Sequence, residues 1–180
     1  MIETEQNIVI AAPLGVVWDY AHDMRRWADL MPGMREFEMI DADNSRWILK
    51  VGVGGLVRTV TVLVHVERWA GPDHVSFTYK LQGDPVQGGG TYDASAREDG
   101  QTDVVLKVRV EGGGPMAPMW EAMGRPLLPQ LAKGFAGQLR DAIERHHGEA
   151  GGAVVTAAGA AEPGGLIGFL RKIWRLLTGR

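Results

Sequence analysis

Apolar and polar residues alternate one by one through most of the middle of this chain. Between residues 59 and 66 valine occupies every even position, and Thr59, Thr61 and His65 stand between the valines. Successive side chains of a β-strand point to opposite faces, so this pattern predicts a strand with one apolar face. The same alternation recurs at residues 37–39, 47–51, 75–81, 92–96 and 104–110, and residues 2–10 resemble a first strand. Turn-forming residues at 43–44 and 98–100 separate neighbouring strands and indicate a mostly antiparallel sheet.

Three helices are predicted around this sheet. Ala12-Pro13 opens a short helix, and a second short helix runs from Asp23 to Leu30. Residues 116–147 are predicted to form a long helix that covers the apolar face of the sheet. Its apolar residues recur at helical spacing and are Met116, Met119, Trp120, Met123, Leu127, Leu131, Phe135 and Leu139. Pro126 and Pro129 each remove a backbone donor, so this helix is expected to divide into two segments with a joint at about residues 124–129.

The long helix and the sheet are predicted to enclose a ligand cavity. A bent sheet with glycine breaks is difficult to close tightly under a jointed helix, which favours a cavity over the alternative of a filled core. Methionine in the first helical segment also suits a surface that accepts irregular apolar shapes. The helix wall is expected to consist of Met116, Met119, Trp120, Met123, Leu127 and Leu131. The sheet wall is expected to consist of Val62, Phe77, Tyr79, Tyr92 and Leu106.

The sequence contains no signature of catalysis or of metal binding. It has no cysteine, no G-x-S-x-G and no H-E-x-x-H, and no serine stands beside a histidine and an acid in a recognisable pattern. We therefore predict no catalytic residues, no metal site and no tightly bound cofactor. The glycine clusters at 52–55, 88–90 and 112–114 fit no phosphate-binding motif and are interpreted as strand breaks or bulges. A net charge of −3 disfavours a nucleic-acid partner.

The C-terminal part of the chain differs in composition from the rest. Residues 148–165 are rich in glycine and alanine, which predicts a flexible linker after a domain at 1–147. Residues 166–178 are predicted to form a basic amphipathic helix. Its apolar face contains Leu166, Ile167, Phe169, Leu170, Ile173, Trp174, Leu176 and Leu177, and its basic face contains Arg171, Lys172 and Arg175.

This terminal helix predicts an interfacial anchor on a membrane that contains anionic lipid. The alternative is that its apolar face docks on the parent domain or on a partner protein. No secretory signal and no apolar run of about 18 residues is visible, which leaves no predicted spanning helix. The expected location is therefore the cytoplasm, peripheral to the inner face of the cell membrane.

Several short motifs within residues 1–147 resemble one protein superfamily. They are Ala-Pro-x-x-x-Val-Trp at 12–18, Met-Pro-Gly-Met at 31–34, and Gln-Gly-Gly-Gly-Thr-Tyr-Asp-Ala-Ser-Ala at 87–96 before a Glu-Asp-Gly turn. Together with the order of the elements, they resemble the SRPBCC (START-like, birch-allergen-like) superfamily. Within it, the sequence is most similar to the CoxG family, which is associated with carbon monoxide dehydrogenase.

The resemblance implies an α+β helix-grip fold. In this fold a seven-stranded antiparallel sheet wraps round a long C-terminal helix, two short helices follow the first strand, and an apolar cavity lies between sheet and helix. The resemblance also implies binding of a lipophilic quinone and recruitment of a molybdenum-hydroxylase-type redox enzyme to the membrane. The superfamily shares no catalytic residue set, so no catalytic role is transferred.

These observations favour a non-catalytic protein that binds an apolar ligand and serves a cytoplasmic redox enzyme at the membrane surface. An isoprenoid quinone or another lipid is the expected ligand. Two alternatives stay open. One is an enzyme of the polyketide cyclase or aromatase kind, for which Arg58, Glu121 and Tyr79 are the polar candidates. The other is a membrane adaptor with a filled core and no small-molecule ligand.

Overall fold

The computed structural model describes residues 1–53 and 55–159, which form one antiparallel sheet and three helices. The strands lie side by side in the order β1-β7-β6-β5-β4-β3-β2. This arrangement confirms the predicted α+β fold. The elements are β1 (Ile2–Ile10), α1 (Leu14–Ala21), α2 (Met24–Leu30), β2 (Met34–Met39), β3 (Asn44–Val53), β4 (Leu56–Ala70), β5 (His74–Leu81), β6 (Val86–Ala96), β7 (Thr102–Gly112) and α3 (Ala117–Gly159).

The two short helices connect opposite edges of the sheet. Strands β2 to β7 are joined as consecutive hairpins, whereas β1 pairs with β7 and so lies at the far edge from β2. The chain must therefore cross the sheet between β1 and β2, and α1 and α2 make this crossing. Asp23 caps α2, because its carboxylate accepts hydrogen bonds from the backbone N–H groups of Arg25 and Arg26. Thr102 fixes the start of the crossing by donating its hydroxyl to the carbonyl of Ala12 at 2.8 Å.

The long helix α3 covers the concave face unevenly. Its second half is packed into the hydrophobic core through Ala132, Phe135, Ala136, Leu139, Ala142 and Ile143. Between residues 117 and 131, in contrast, Trp120 is the single buried residue. The helix therefore closes one end of the sheet tightly and stands above the other end with half-buried side chains.

The helix α3 is continuous across both of its prolines, so the predicted division into two segments is wrong. Each proline removes one N–H donor, which would otherwise bond to the carbonyl four residues earlier. Those carbonyls belong to Ala122 and Arg125, and both residues are exposed. Water can satisfy the two freed carbonyls, so the remaining hydrogen bonds carry the helix through.

The helix also continues into the segment that was predicted to be a linker. The residues of the first compact unit are Met1–Arg145, and a second unit begins at His146. In that second unit the described residues, up to Gly159, are helical. Residues 160–165 of the predicted linker, and the whole predicted helix at 166–178, lie outside the described residues. No helix in the described ranges is long and apolar enough to cross a membrane.

Candidate functional site

A cavity of about 230 Å³ lies between the concave face of the sheet and the first half of α3. Its wall is almost entirely apolar, and the side chains come from the sheet, from α3, and from Met24, Trp27 and Met31 in and beside α2. An apolar cavity of about 150 Å³ is already large enough to bind benzene. The space under α3 is thus large enough for an aromatic ring or a branched hydrocarbon group.

Eight of the eleven residues predicted to bind a ligand line this cavity. They are Val62, Phe77, Tyr79, Leu106, Trp120, Met123, Leu127 and Leu131. Tyr92 is fully buried in the core, where its ring contacts that of Trp27. Met116 and Met119 are exposed at 50% and 46% of their surface. Met116 precedes the first residue of α3, and Met119 points about 100° away from Trp120 around the helix, so neither reaches the cavity.

Tryptophan residues that sequence reasoning did not assign to the site also line the cavity. Trp27 lies on the buried face of α2, and its ring makes contacts with the rings of Phe77 and Phe135 at 5.9 and 5.7 Å. Met24, Trp27 and Met31 are spaced three and four residues apart, so helical periodicity could have identified this wall. Trp69 reaches the cavity because the pairing of β4 shifts between Val66 and Arg68. That bulge reverses the alternation, which a strict period of two does not foresee.

The glycines at 88–90 make room for two aromatic rings. They lie inside β6 and keep an unbroken register with β5 and β7, so the prediction of a strand break or bulge is wrong at this cluster. Gly88 pairs with Tyr79, and Gly90 pairs with Phe77. The Tyr79 ring lies across Gly88, and its hydroxyl donates to the carbonyl of Arg109 in β7 at 2.8 Å. The missing side chains of β6 are therefore replaced by rings from β5.

The polar groups at the cavity wall are bonded to protein partners. Arg58 pairs with Asp84, with Nη2 at 2.8 Å from Oδ2 and 3.0 Å from Oδ1, and its guanidinium lies 5.1 Å from the ring centre of Trp120. Glu121 accepts a hydrogen bond from the amine of Met1 at 2.8 Å, which lowers the pKa of this carboxyl. Burial raises the pKa of Tyr79, so its hydroxyl keeps its proton at neutral pH.

Two buried side-chain polar atoms in the described part of the chain have no hydrogen-bond partner. They are the hydroxyl oxygen of Tyr92 and Nε1 of Trp120. Burial raises the pKa of Tyr92, whose ring lies in the core. Trp120 differs from Tyr92 because it lines the cavity. The described residues also contain no group of histidines and carboxylates arranged to hold a metal ion.

A bent antiparallel sheet, a long C-terminal helix and an apolar cavity between them define the START-like helix-grip class of proteins. The chain belongs to the family described as polyketide cyclase / dehydrase and lipid transport, whose model matches residues 1–144. A search of curated protein sequences finds no match.

Solved structures of the same fold come from several bacteria. A conserved protein from Geobacillus kaustophilus is 19% identical, with a TM-score of 0.69 over 80% of this chain and 96% of its own. The Zhui aromatase/cyclase from Streptomyces sp. R1128 is 18% identical, with a TM-score of 0.57 over 80% and 94%. A START superfamily protein from Mycobacterium smegmatis is 12% identical, with a TM-score of 0.57 over 80% and 95%. At these identities the likeness shows the fold.

Replacing Gly88 by alanine tests how the sheet wall is built. A Cβ at this position would lie 2.5 Å from Cζ of Tyr79 and would also meet the carbonyl oxygen of Arg109. We expect Gly88→Ala to lower the free energy of unfolding by about 1–3 kcal/mol, measured by urea denaturation. Gly137→Ala is the control, because nothing lies within 4 Å of a Cβ there and alanine favours a helix by up to about 1 kcal/mol. Equal stability of the two variants would contradict this view of the wall.

Proposed function

We propose that this chain is a non-catalytic protein that binds an apolar small molecule in the cavity under α3. The observation that supports this function is the nearly unbroken apolar wall of a cavity in a chain whose core is otherwise filled. Burial of an apolar ligand contributes about 25 cal/mol for each Å² removed from water. Affinity of that origin requires shape and apolar surface, and the cavity offers both.

The polar groups beside the cavity support binding rather than catalysis. General acid or base catalysis needs a titratable group that is free to exchange a proton with the substrate. Arg58 is paired with Asp84, Glu121 with the amine of Met1, and the hydroxyl of Tyr79 with a backbone carbonyl. A substrate would have to break one of these bonds before chemistry could begin.

An isoprenoid quinone is our candidate among apolar ligands. The aromatic rings of Trp27, Phe77 and Tyr79 face the cavity, and ring faces of this kind pack favourably against another flat ring. The resemblance of the sequence to the CoxG family points to the same ligand class. That resemblance also supports a molybdenum-hydroxylase-type redox enzyme as the partner that this protein would serve.

The terminal segment at 166–178 is our candidate for membrane attachment. It lies outside the described residues, so the proposal rests on its sequence, in which Phe169 and Trp174 lie on the apolar side and Arg171, Lys172 and Arg175 on the other. Apolar burial at the lipid surface and attraction to anionic head groups together hold such helices on a membrane. A ligand carrier attached in this way would exchange its cargo with the bilayer.

A cyclase or aromatase activity is the second candidate function. One observation favours it: the three polar residues considered for it, Arg58, Tyr79 and Glu121, all line the cavity. The family includes polyketide cyclases by description, and the Zhui aromatase/cyclase shares the fold. The bonds that already engage all three residues are the reason that we place ligand binding first.

Filling the cavity tests the binding proposal. Val60 faces the cavity from β4, and its neighbour Thr59 is exposed on the opposite face of the same strand. We expect Val60→Trp to weaken binding of the neutral fluorophore N-phenylnaphthylamine by about tenfold or more, because the larger ring competes for the same space. Fluorescence titration measures the dissociation constant, and a urea transition establishes that each variant is folded.

The matched control for this experiment is Thr59→Trp, which adds the same ring outside the cavity and should leave the dissociation constant within about twofold. Val108→Phe provides a second filling variant on β7 if Val60→Trp does not fold. Unchanged binding by a folded cavity-filling variant would place the fluorophore elsewhere and contradict the proposal.

Deleting residues 164–180 tests the membrane proposal. We expect the full chain to float with vesicles that contain phosphatidylglycerol and to stay unbound with vesicles of phosphatidylcholine alone, because the basic face needs anionic lipid. The deleted form should stay unbound in both cases while it retains N-phenylnaphthylamine binding. Equal flotation of the full chain and the deleted form would show that the segment is not the anchor.

A further inference from the structure

Trp120 presents the one buried donor at the cavity wall that lacks a partner in the described part of the chain. It lies in the first turn of α3, is 8% exposed, and lines the cavity. Its Nε1–H finds no acceptor among the described residues. A buried N–H without an acceptor loses its hydrogen bond to water and gains nothing in return. Such an atom in a native structure calls for an acceptor that the described protein does not supply.

The other cavity tryptophans show that this is a special feature of Trp120. Nε1 of Trp47 donates to Oγ of Ser45 at 2.8 Å, and Nε1 of Trp69 donates to Oδ1 of Asp43 at 3.1 Å. Trp27 donates to the carbonyl oxygen of Ala21. Each of these three indoles therefore has its polar atom satisfied by the protein while its ring lines the cavity.

The surroundings of Trp120 hold its indole in place. The guanidinium of Arg58 lies 5.1 Å from the ring centre, and Asp84 fixes that guanidinium from the other side. At the base of the side chain, Gly112 approaches so closely that a Cβ there would lie 2.7 Å from Cβ of Trp120. The indole is thus packed between β4 and the end of β7, and its N–H has no room to swing towards a protein acceptor.

The charges near Trp120 are already balanced. Arg58 is neutralised by Asp84, and Glu121 by the amine of Met1. A charged ligand group would lack an unpaired counter-ion here and would bear the full cost of leaving water. A neutral acceptor, in contrast, needs a single donor, and the indole provides it.

We infer that Trp120 selects apolar ligands that carry a neutral hydrogen-bond acceptor, such as a ketone or quinone carbonyl, at the α3 end of the cavity. The inference rests on the proposed binding function and adds the chemical class of the ligand. The carbonyl oxygen accepts from Nε1 of Trp120, and the apolar body extends beneath Leu127 and Leu131. Met123 is three residues further along the same helix face, and its flexible side chain gives way as the ligand reaches the indole.

A matched pair of ligands tests this inference on the full chain. Acetylnaphthalene carries a carbonyl that ethylnaphthalene lacks, and the two differ little in size. Displacement of N-phenylnaphthylamine gives both dissociation constants. We expect the chain to bind the ketone more tightly than octanol–water partition predicts, and Trp120→Phe to weaken ketone binding by about three- to tenfold while it changes hydrocarbon binding by less than about twofold.

Trp69→Phe is the control for the loss of an indole from the cavity wall. Its N–H is already bonded to Asp43, so the variant should change the two affinities by the same factor. A second readout is the indole N–H signal of Trp120 in a ¹⁵N-labelled protein, assigned by its absence in Trp120→Phe. This signal should move downfield with the ketone and not with the hydrocarbon, and the signal of Trp47 should move with neither.

The outcomes separate this inference from the proposed function. If both ligands bind and Trp120→Phe weakens them equally, with no ketone-specific shift of the indole signal, the acceptor role is refuted and the binding function stands. If neither ligand displaces the fluorophore, the proposed binding function fails together with the inference. A ketone-specific loss in Trp69→Phe would also overturn the inference, because it would assign the selection to another residue.

Discussion

The architecture depends on how one helix covers one face of a strongly bent sheet. Phe135, Leu139 and Ile143 in the second half of α3 are packed against the core, and this contact fixes the helix over the sheet. The first half then extends over a part of the sheet that it does not fill. Since apolar cavities persist only where the surrounding contacts are strong enough to hold them open, the tight end of α3 is what makes the open end possible.

Aromatic rings form the boundary between the tight end and the cavity. Trp27 in α2 contacts Phe77 of β5 on one side and Phe135 of α3 on the other. Phe77 and Tyr79 in turn lie over glycines of β6, which gives the sheet wall a smooth aromatic surface. Polar atoms are kept out of this surface by local bonds, such as that from the Tyr79 hydroxyl to the carbonyl of Arg109. The wall is therefore suited to apolar ligands, and Trp120 adds one donor to it.

Sequence periodicity was sufficient for the fold and for most of the cavity wall. Alternation along β4 and β5 placed Val62, Phe77 and Tyr79 on the concave face, because burial of one face imposes a period of two on the sequence. The resemblance of the motifs to the START-like superfamily added the strand count and the position of the long helix. The particular ligand and partner stay predictions, because no residue pattern in this chain specifies them.

Local pairing and solvation decided the features that periodicity missed. Trp69 reaches the cavity through a bulge in β4, and the glycines at 88–90 are explained by rings on the neighbouring strand. Both effects depend on pairing partners that are distant in sequence. Pro126 and Pro129 do not break α3, because the carbonyls they free belong to exposed residues. That a donor of Trp120 lacks a partner could be seen only once the side chains around it were placed.

Organic extraction of the purified full chain, followed by mass spectrometry, tests the central claim most directly. The measurement compares the full chain with the form that lacks residues 164–180, so that lipid adhering to the terminal segment is distinguished from a ligand in the cavity. Our account predicts one apolar molecule per chain in both forms, with a carbonyl or similar acceptor group. An extract without such a molecule from either form, or with one from the full chain alone, would contradict the claim that the cavity is a ligand site.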